Sequence, residues 1–97
     1  MDRPLNLLLL EDNLSDAELI LYELRRAGFD VTAERVENET DFLNALDPAL
    51  DLILADYNLP QFNGLRALDL VVERELDIPF ILVSGRIGEE RAVDAIR

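Results

Sequence analysis

The chain has 97 residues and carries nine basic against twenty-one acidic side chains, for a formal net charge of −12. All nine bases are arginine, and there is no cysteine and no histidine. These values point to one globular domain and exclude a disulfide framework, a thiol or imidazole catalyst and the usual zinc sites. The acidic balance also disfavours binding to a phosphate backbone or an anionic membrane surface.

Leu5 to Leu10 is a short, almost continuous apolar run that ends at Glu11-Asp12. Such a run reads as a strand covered on both faces in a parallel sheet, and it is far too short to span a membrane. Met1-Asp2-Arg3 lacks the flanks of a secretory signal, so a cytoplasmic location is expected. Ser15 to Glu18 has capping-box spacing, and Ala17, Ile20, Leu21, Leu24 and Ala27 recur at helical period until Gly28. Val31 to Val36 reads as a second, more polar strand near an edge. Asn38 then caps a short helix carrying Phe42, Leu43 and Leu46, which ends at Asp47-Pro48.

Leu52 to Ala55 repeats the buried-strand signal and runs into Asp56, followed by a loop rich in turn formers from Tyr57 to Gly64. Leu65, Leu68, Val71, Val72 and Leu76 mark a third helix, and Phe80 to Val83 a fourth strand. Glu89 to Arg97 reads as the start of a fourth helix with Ala92, Val93 and Ile96 inward. Four strand-then-helix units argue for one parallel sheet with helices on both faces. The last helical pattern runs to Arg97 without a stop signal, so the chain is expected to be incomplete at its C-terminus.

In open α/β sheets, ligands bind beyond the carboxyl ends of the strands, where the strand order reverses. Glu11 and Asp12 follow the first strand, Asp56 the third, and Ser84 ends the fourth. If strands one and three are neighbours, three carboxylates converge there, and their mutual repulsion calls for a divalent cation. An all-oxygen donor set suits Mg²⁺ better than a transition metal. Singly, each feature has an ordinary explanation, such as anions favoured near a helix N-terminus or residues that shape a turn.

Together, Glu11-Asp12, Asp56-Tyr57-Asn58-Leu59-Pro60 with Asn63-Gly64, and Ser84-Gly85 resemble the receiver domain of two-component response regulators. The resemblance extends from Leu5 to Arg97 and makes residues 1–97 one receiver domain. It implies a flavodoxin-like doubly wound α/β sheet in the order 2-1-3-4-5, with the fifth strand and fifth helix missing from this chain. It further implies that Asp56 accepts a phosphoryl group from a sensor histidine kinase or histidine phosphotransfer domain, with Mg²⁺ held by Glu11, Asp12, Asp56 and the Asn58 backbone carbonyl. Ser84 would be the switch hydroxyl. Gly85, Arg86 and Asn58 would govern access to the phosphoryl group and its lifetime, and Pro60 and Gly64 would shape the loop. The protein would be a phosphoacceptor that assists its own phosphorylation and dephosphorylation, not an enzyme in the ordinary sense.

The family's phosphoryl-contacting lysine has no counterpart, because the chain has no lysine at all. Without a fifth strand, Phe80 to Val83 would form an exposed edge through which copies could associate. Two other readings are an unphosphorylated receiver-like interaction module and a dehalogenase-type phosphohydrolase. The filled acidic positions speak against the first. The second wants an aspartate two residues after the nucleophile, where Asn58 stands.

Overall fold

The computed structural model describes residues 3–57, 59–60 and 62–83, together with the backbone of 93–95. In chain order the elements are β1 (Arg3–Leu10), α1 (Leu14–Arg26), β2 (Phe29–Val36), α2 (Glu39–Ala45), β3 (Leu52–Asp56), α3 (Gly64–Glu73), β4 (Phe80–Val83) and β5 (Val93–Ala95). They form one sheet in the order β2-β1-β3-β4-β5. The first four strands in that order are mutually parallel, and β5 runs antiparallel to β4. The expected α/β class and the parallel order β2-β1-β3-β4 are therefore present, and β2 lies at an edge as its polarity suggested; the fifth position, expected to be missing from this chain, is taken by the antiparallel β5.

The alternating faces of the strands build two cores. Leu8, Leu10, Ile53, Ala55, Phe80 and Leu82 pack with Phe42 of α2 and Ala67, Leu70 and Val71 of α3. Leu7, Leu9, Leu54 and Val83 pack on the other side with Ala17 and Ile20 of α1. A strand buried on both faces has no reason to alternate apolar with polar residues, which is why β1 reads as a continuous leucine run. Phe42 is fully buried and meets Phe62 edge-on, with ring centroids 5.3 Å apart. Among the described residues, no helix is long and apolar enough to cross a membrane.

Three local expectations are corrected. The N-cap of α1 is Asn13 rather than Ser15, because the Asn13 side chain accepts the Asp16 N–H at 3.0 Å. Leu14, in the first turn, is exposed, so the apolar periodicity only becomes visible at Ala17. In α3, Leu65 and Val72 are also exposed, whereas Val71 is buried and Leu68 partly buried, and Gly64, Ala67 and Leu70 complete the buried stripe. Small residues on that stripe bring the helix close to the sheet, and hydropathy alone ranks them below Leu and Val.

The third correction concerns the C-terminal segment. Residues 93–95, read as part of a fourth helix, form β5, which pairs Val93 with Val83, Asp94 with Leu82 and Ala95 with Ile81. The expected open edge along β4 is therefore covered over those residues. The outer backbone of β4 would otherwise present a row of unpaired amides and carbonyls. A β-branched residue such as Val93 suits a ladder, whereas a short helix must bear its nucleation cost.

Candidate functional site: an acidic pocket at the strand ends

β1 and β3 lie side by side at the centre of the sheet, with Leu10 in register with Ala55. The next residue along β1, Glu11, is thus level with Asp56, and Asp12 follows it into the β1–α1 turn. One carboxylate oxygen from each of Glu11, Asp12 and Asp56 lies within 4.8 Å of the others. Glu11 is buried, Asp56 half-buried and Asp12 exposed, so the pocket grades from the protein interior out to solvent.

The backbone explains this placement. The Glu11 N–H donates to the Val36 carbonyl at 3.1 Å, which continues the β1–β2 ladder by one residue. The Asn13 N–H donates to Glu11 Oε2 at 3.1 Å, and Asn13 in turn caps α1. On the other side, the Tyr57 N–H donates to the Val83 carbonyl at 3.0 Å, which fixes the exit from β3. Asn63 caps α3 by accepting the Arg66 N–H at 3.0 Å.

Gly64, at the start of α3, packs directly against the sheet. A Cβ there would run into Leu82 Cδ2 and lie 3.2 Å from the Asp56 carbonyl oxygen and 3.3 Å from Ala55 Cβ. The absence of a side chain at Gly64 is therefore a steric requirement beside the Asp56 backbone. Pro60 lines an adjacent cleft of about 270 Å³ together with Leu59, Asp12, Glu37 and Asn38.

Burial pushes the Glu11 carboxyl from 4.5 up to about 7. The Asn13 N–H opposes that shift, and the negative charges of Asp56, Asp16 and Asp12 add to it. A buried carboxylate facing two others is costly as an anion, and a dication among the three oxygens removes that cost. The donor set holds only hard oxygens and leaves room for water, so it fits Mg²⁺.

Of the residues singled out from sequence, Glu11, Asp12 and Asp56 are brought together, with Pro60 and Gly64 beside them. Asn58, Ser84, Gly85 and Arg86 lie outside the described residues. Sequence reasoning missed Arg35. Its Nη1 donates to the Glu11 carbonyl oxygen at 3.0 Å and to Glu37 Oε2 at 3.2 Å. The one available signal was a lone cation near the end of β2, in register with Leu9 just before the acids.

A three-layer α/β domain with a carboxylate triad at the carboxyl ends of its two central strands defines a class of acidic, oxygen-liganding switch-point sites. Comparison with known proteins narrows the class. Residues 7–97 match the family described as response regulator receiver domain, and the chain belongs to that family. It is 33% identical over 90 residues to the phosphate regulon transcriptional regulatory protein PhoB of Klebsiella pneumoniae, covering 90% of this chain and 38% of PhoB. It is 24% identical over 92 residues to the chemotaxis protein CheY of Treponema pallidum, covering 93% of this chain and 63% of CheY. The solved structure of the response regulator StyR superposes with a TM-score of 0.70 at 21% identity, covering 93% of this chain and 44% of that one, and so supports the fold. The chain spans less than two thirds of the length of each of these relatives.

Proposed function

We propose that this receiver domain takes a phosphoryl group onto Asp56 in a Mg²⁺-dependent reaction, with a phosphohistidine on a sensor kinase or phosphotransfer protein as donor. The observation that carries the proposal is the convergence of the Glu11, Asp12 and Asp56 carboxylates at the switch point of the sheet.

In the transfer, an Asp56 carboxylate oxygen attacks phosphorus. The new O–P bond forms as the P–N bond to the donor imidazole breaks, and the imidazole departs with the bonding pair. Glu11 and Asp12, with Asp56 itself, would hold the cation, and the Asn58 backbone carbonyl is proposed as a further ligand. When bound, Mg²⁺ supplies neutralisation of charge on the phosphoryl oxygens. Asp12, the exposed member of the triad, faces the cleft through which a donor can approach. Ser84 is proposed to hydrogen-bond a phosphoryl oxygen and draw its loop inward, with Gly85 leaving access for the donor and Arg86 and Asn58 setting the lifetime of the phosphoryl group. Because the 97 residues contain no lysine, cationic support within this chain falls to the metal and arginine.

The test is incubation with a small-molecule phosphodonor, with Mg²⁺ or with EDTA, followed by intact mass spectrometry beside Asp56→Asn. The expected result is a single added phosphoryl group that requires both Mg²⁺ and Asp56. Equal labelling of Asp56→Asn, or labelling indifferent to EDTA, would overturn the assignment.

A further inference from the structure

Glu11 is held from β2 at both of its backbone polar groups. Its N–H donates to the Val36 carbonyl at 3.1 Å, and its carbonyl oxygen accepts from Arg35 Nη1 at 3.0 Å. The Glu11 carboxylate accepts the Asn13 N–H, and Asn13 accepts the Asp16 N–H, so the turn carrying Asp12 is fixed on either side of that residue. Arg35 is also the point at which the acidic turn is tied to the wall of the cleft, because the same Nη1 contacts Glu37 Oε2 at 3.2 Å. Its guanidinium meets the peptide carbonyl of Glu11, so the contact bears on the direction of the turn through the backbone.

We propose that Arg35 is a positioning residue: by holding the Glu11 carbonyl it sets the direction of the Glu11 and Asp12 carboxylates and thereby raises the affinity of the pocket for a divalent cation. The proposal rests on the metal-site reading given above. It makes a prediction opposite in sign to simple electrostatics. Removing a positive charge near a cation site strengthens cation binding by Coulomb's law, whereas removing an orienting contact weakens it. Glu37 supplies the complementary control, since its neutralisation removes a nearby negative charge and leaves the Arg35 contact with Glu11 in place.

The experiment is titration of Mg²⁺ into the full chain by calorimetry for wild type, Arg35→Met, Arg35→Lys and Glu37→Gln. Amide hydrogen exchange is followed in the same four proteins without metal. Arg35→Met is expected to weaken Mg²⁺ binding about 10-fold, the low end of what loss of an outer orienting contact costs a metal site. Arg35→Lys, which keeps one donor, should recover most of that loss, and Glu37→Gln should stay within about twofold of wild type. In the metal-free exchange arm, Arg35→Met should speed exchange at Asn13 and Asp16 relative to Arg66, whose N–H donates to the Asn63 cap of α3 and makes no bond to Arg35 or Glu11. General destabilisation would move all three amides together. Unchanged or tighter Mg²⁺ binding in Arg35→Met, or an unchanged exchange ratio, overturns the proposal. If wild type binds no Mg²⁺, the metal-site reading fails and the affinity claim falls with it, while the exchange ratio still decides whether Arg35 holds the turn.

Discussion

Gly64→Ala is a small substitution at a place where the structure leaves no room for it. Gly64 does not occupy the left-handed region, so the backbone accepts alanine, and the loss of glycine's freedom in the unfolded chain favours the variant by about 0.5–1 kcal/mol. Against this, the new Cβ overlaps Leu82 Cδ2 and presses on the Asp56 carbonyl at 3.2 Å and Ala55 Cβ at 3.3 Å. Leu82 is only 6% exposed and sits in the core beneath α3, so its side chain has little space into which to turn. Overpacking of this kind costs about 1–3 kcal/mol, which leaves a net destabilisation of roughly 0–2.5 kcal/mol, centred near about 1 kcal/mol. In a domain of this size each kcal/mol corresponds to about 4–8 °C in the melting midpoint. Urea unfolding should show a lower midpoint with an unchanged slope. Leu82→Val shortens the obstructing side chain, so the double variant should be more stable than the sum of the single effects by about 0.5–1 kcal/mol. A Gly64→Ala protein more stable than wild type, or strict additivity in the double variant, would refute the steric account.

The ionisation of Glu11 gives a pH signature in the metal-free protein. Below pH 4.5 the group is protonated in both the folded and unfolded chains; from there to about 7 the unfolded chain releases the proton while the folded one retains it. The folded state therefore loses stability as pH rises across this window, and the loss is complete above about 7. Glu11→Gln should remove this component, so the stability difference between wild type and variant, followed by urea titration at several pH values, should change across the window and be flat above it. Excess Mg²⁺ should suppress the pH dependence, and a difference independent of pH would contradict the assignment. Phe42→Ala deletes a fully buried ring that packs on Phe62 and should cost about 3–5 kcal/mol, read as a large fall in the thermal midpoint. A loss under about 1 kcal/mol would mean that the core around α2 closes over the gap.

β1, β3 and β4 were legible because strands buried on both faces are written in the sequence as short apolar runs, and the acids that end β1 and β3 stand out by contrast. Glu11, Asp12 and Asp56 were legible for the same reason, once adjacency of the first and third strands was supplied by the resemblance. The start of α1 was misplaced because Asn13 and Ser15 are both acceptable caps, and the exposed Leu14 blurs the pattern between them. The α3 face was legible at Val71 and Leu68 and missed at Gly64 and Ala67, because close packing of Gly64 against Leu82 and Ala55 selects small residues that a hydropathy reading passes over. β5 was missed because Val93 and Ala95 fit either a helix face or a short ladder, and a non-local partner, the edge of β4, decides between them. Arg35 was missed for a related reason. Its importance lies in a peptide carbonyl 24 positions earlier in the chain, and carbonyls carry no sequence signature.

The two central strands have a consequence for how mutational data on this protein should be interpreted. Residues 7–10 and 53–55 are buried on both faces of the sheet, so a polar substitution at any of them inserts an unsatisfied group into one core or the other. In a saturation library these positions will score as intolerant whether or not the protein's chemistry is being selected. The exposed Asp12 and half-buried Asp56 just beyond them belong to the proposed phosphoacceptor site, and isosteric changes there are expected to abolish phosphoryl acceptance while leaving the yield of folded protein untouched. Plotting abundance against activity for each variant would therefore separate the chain within a single residue step, at the boundary between Ala55 and Asp56.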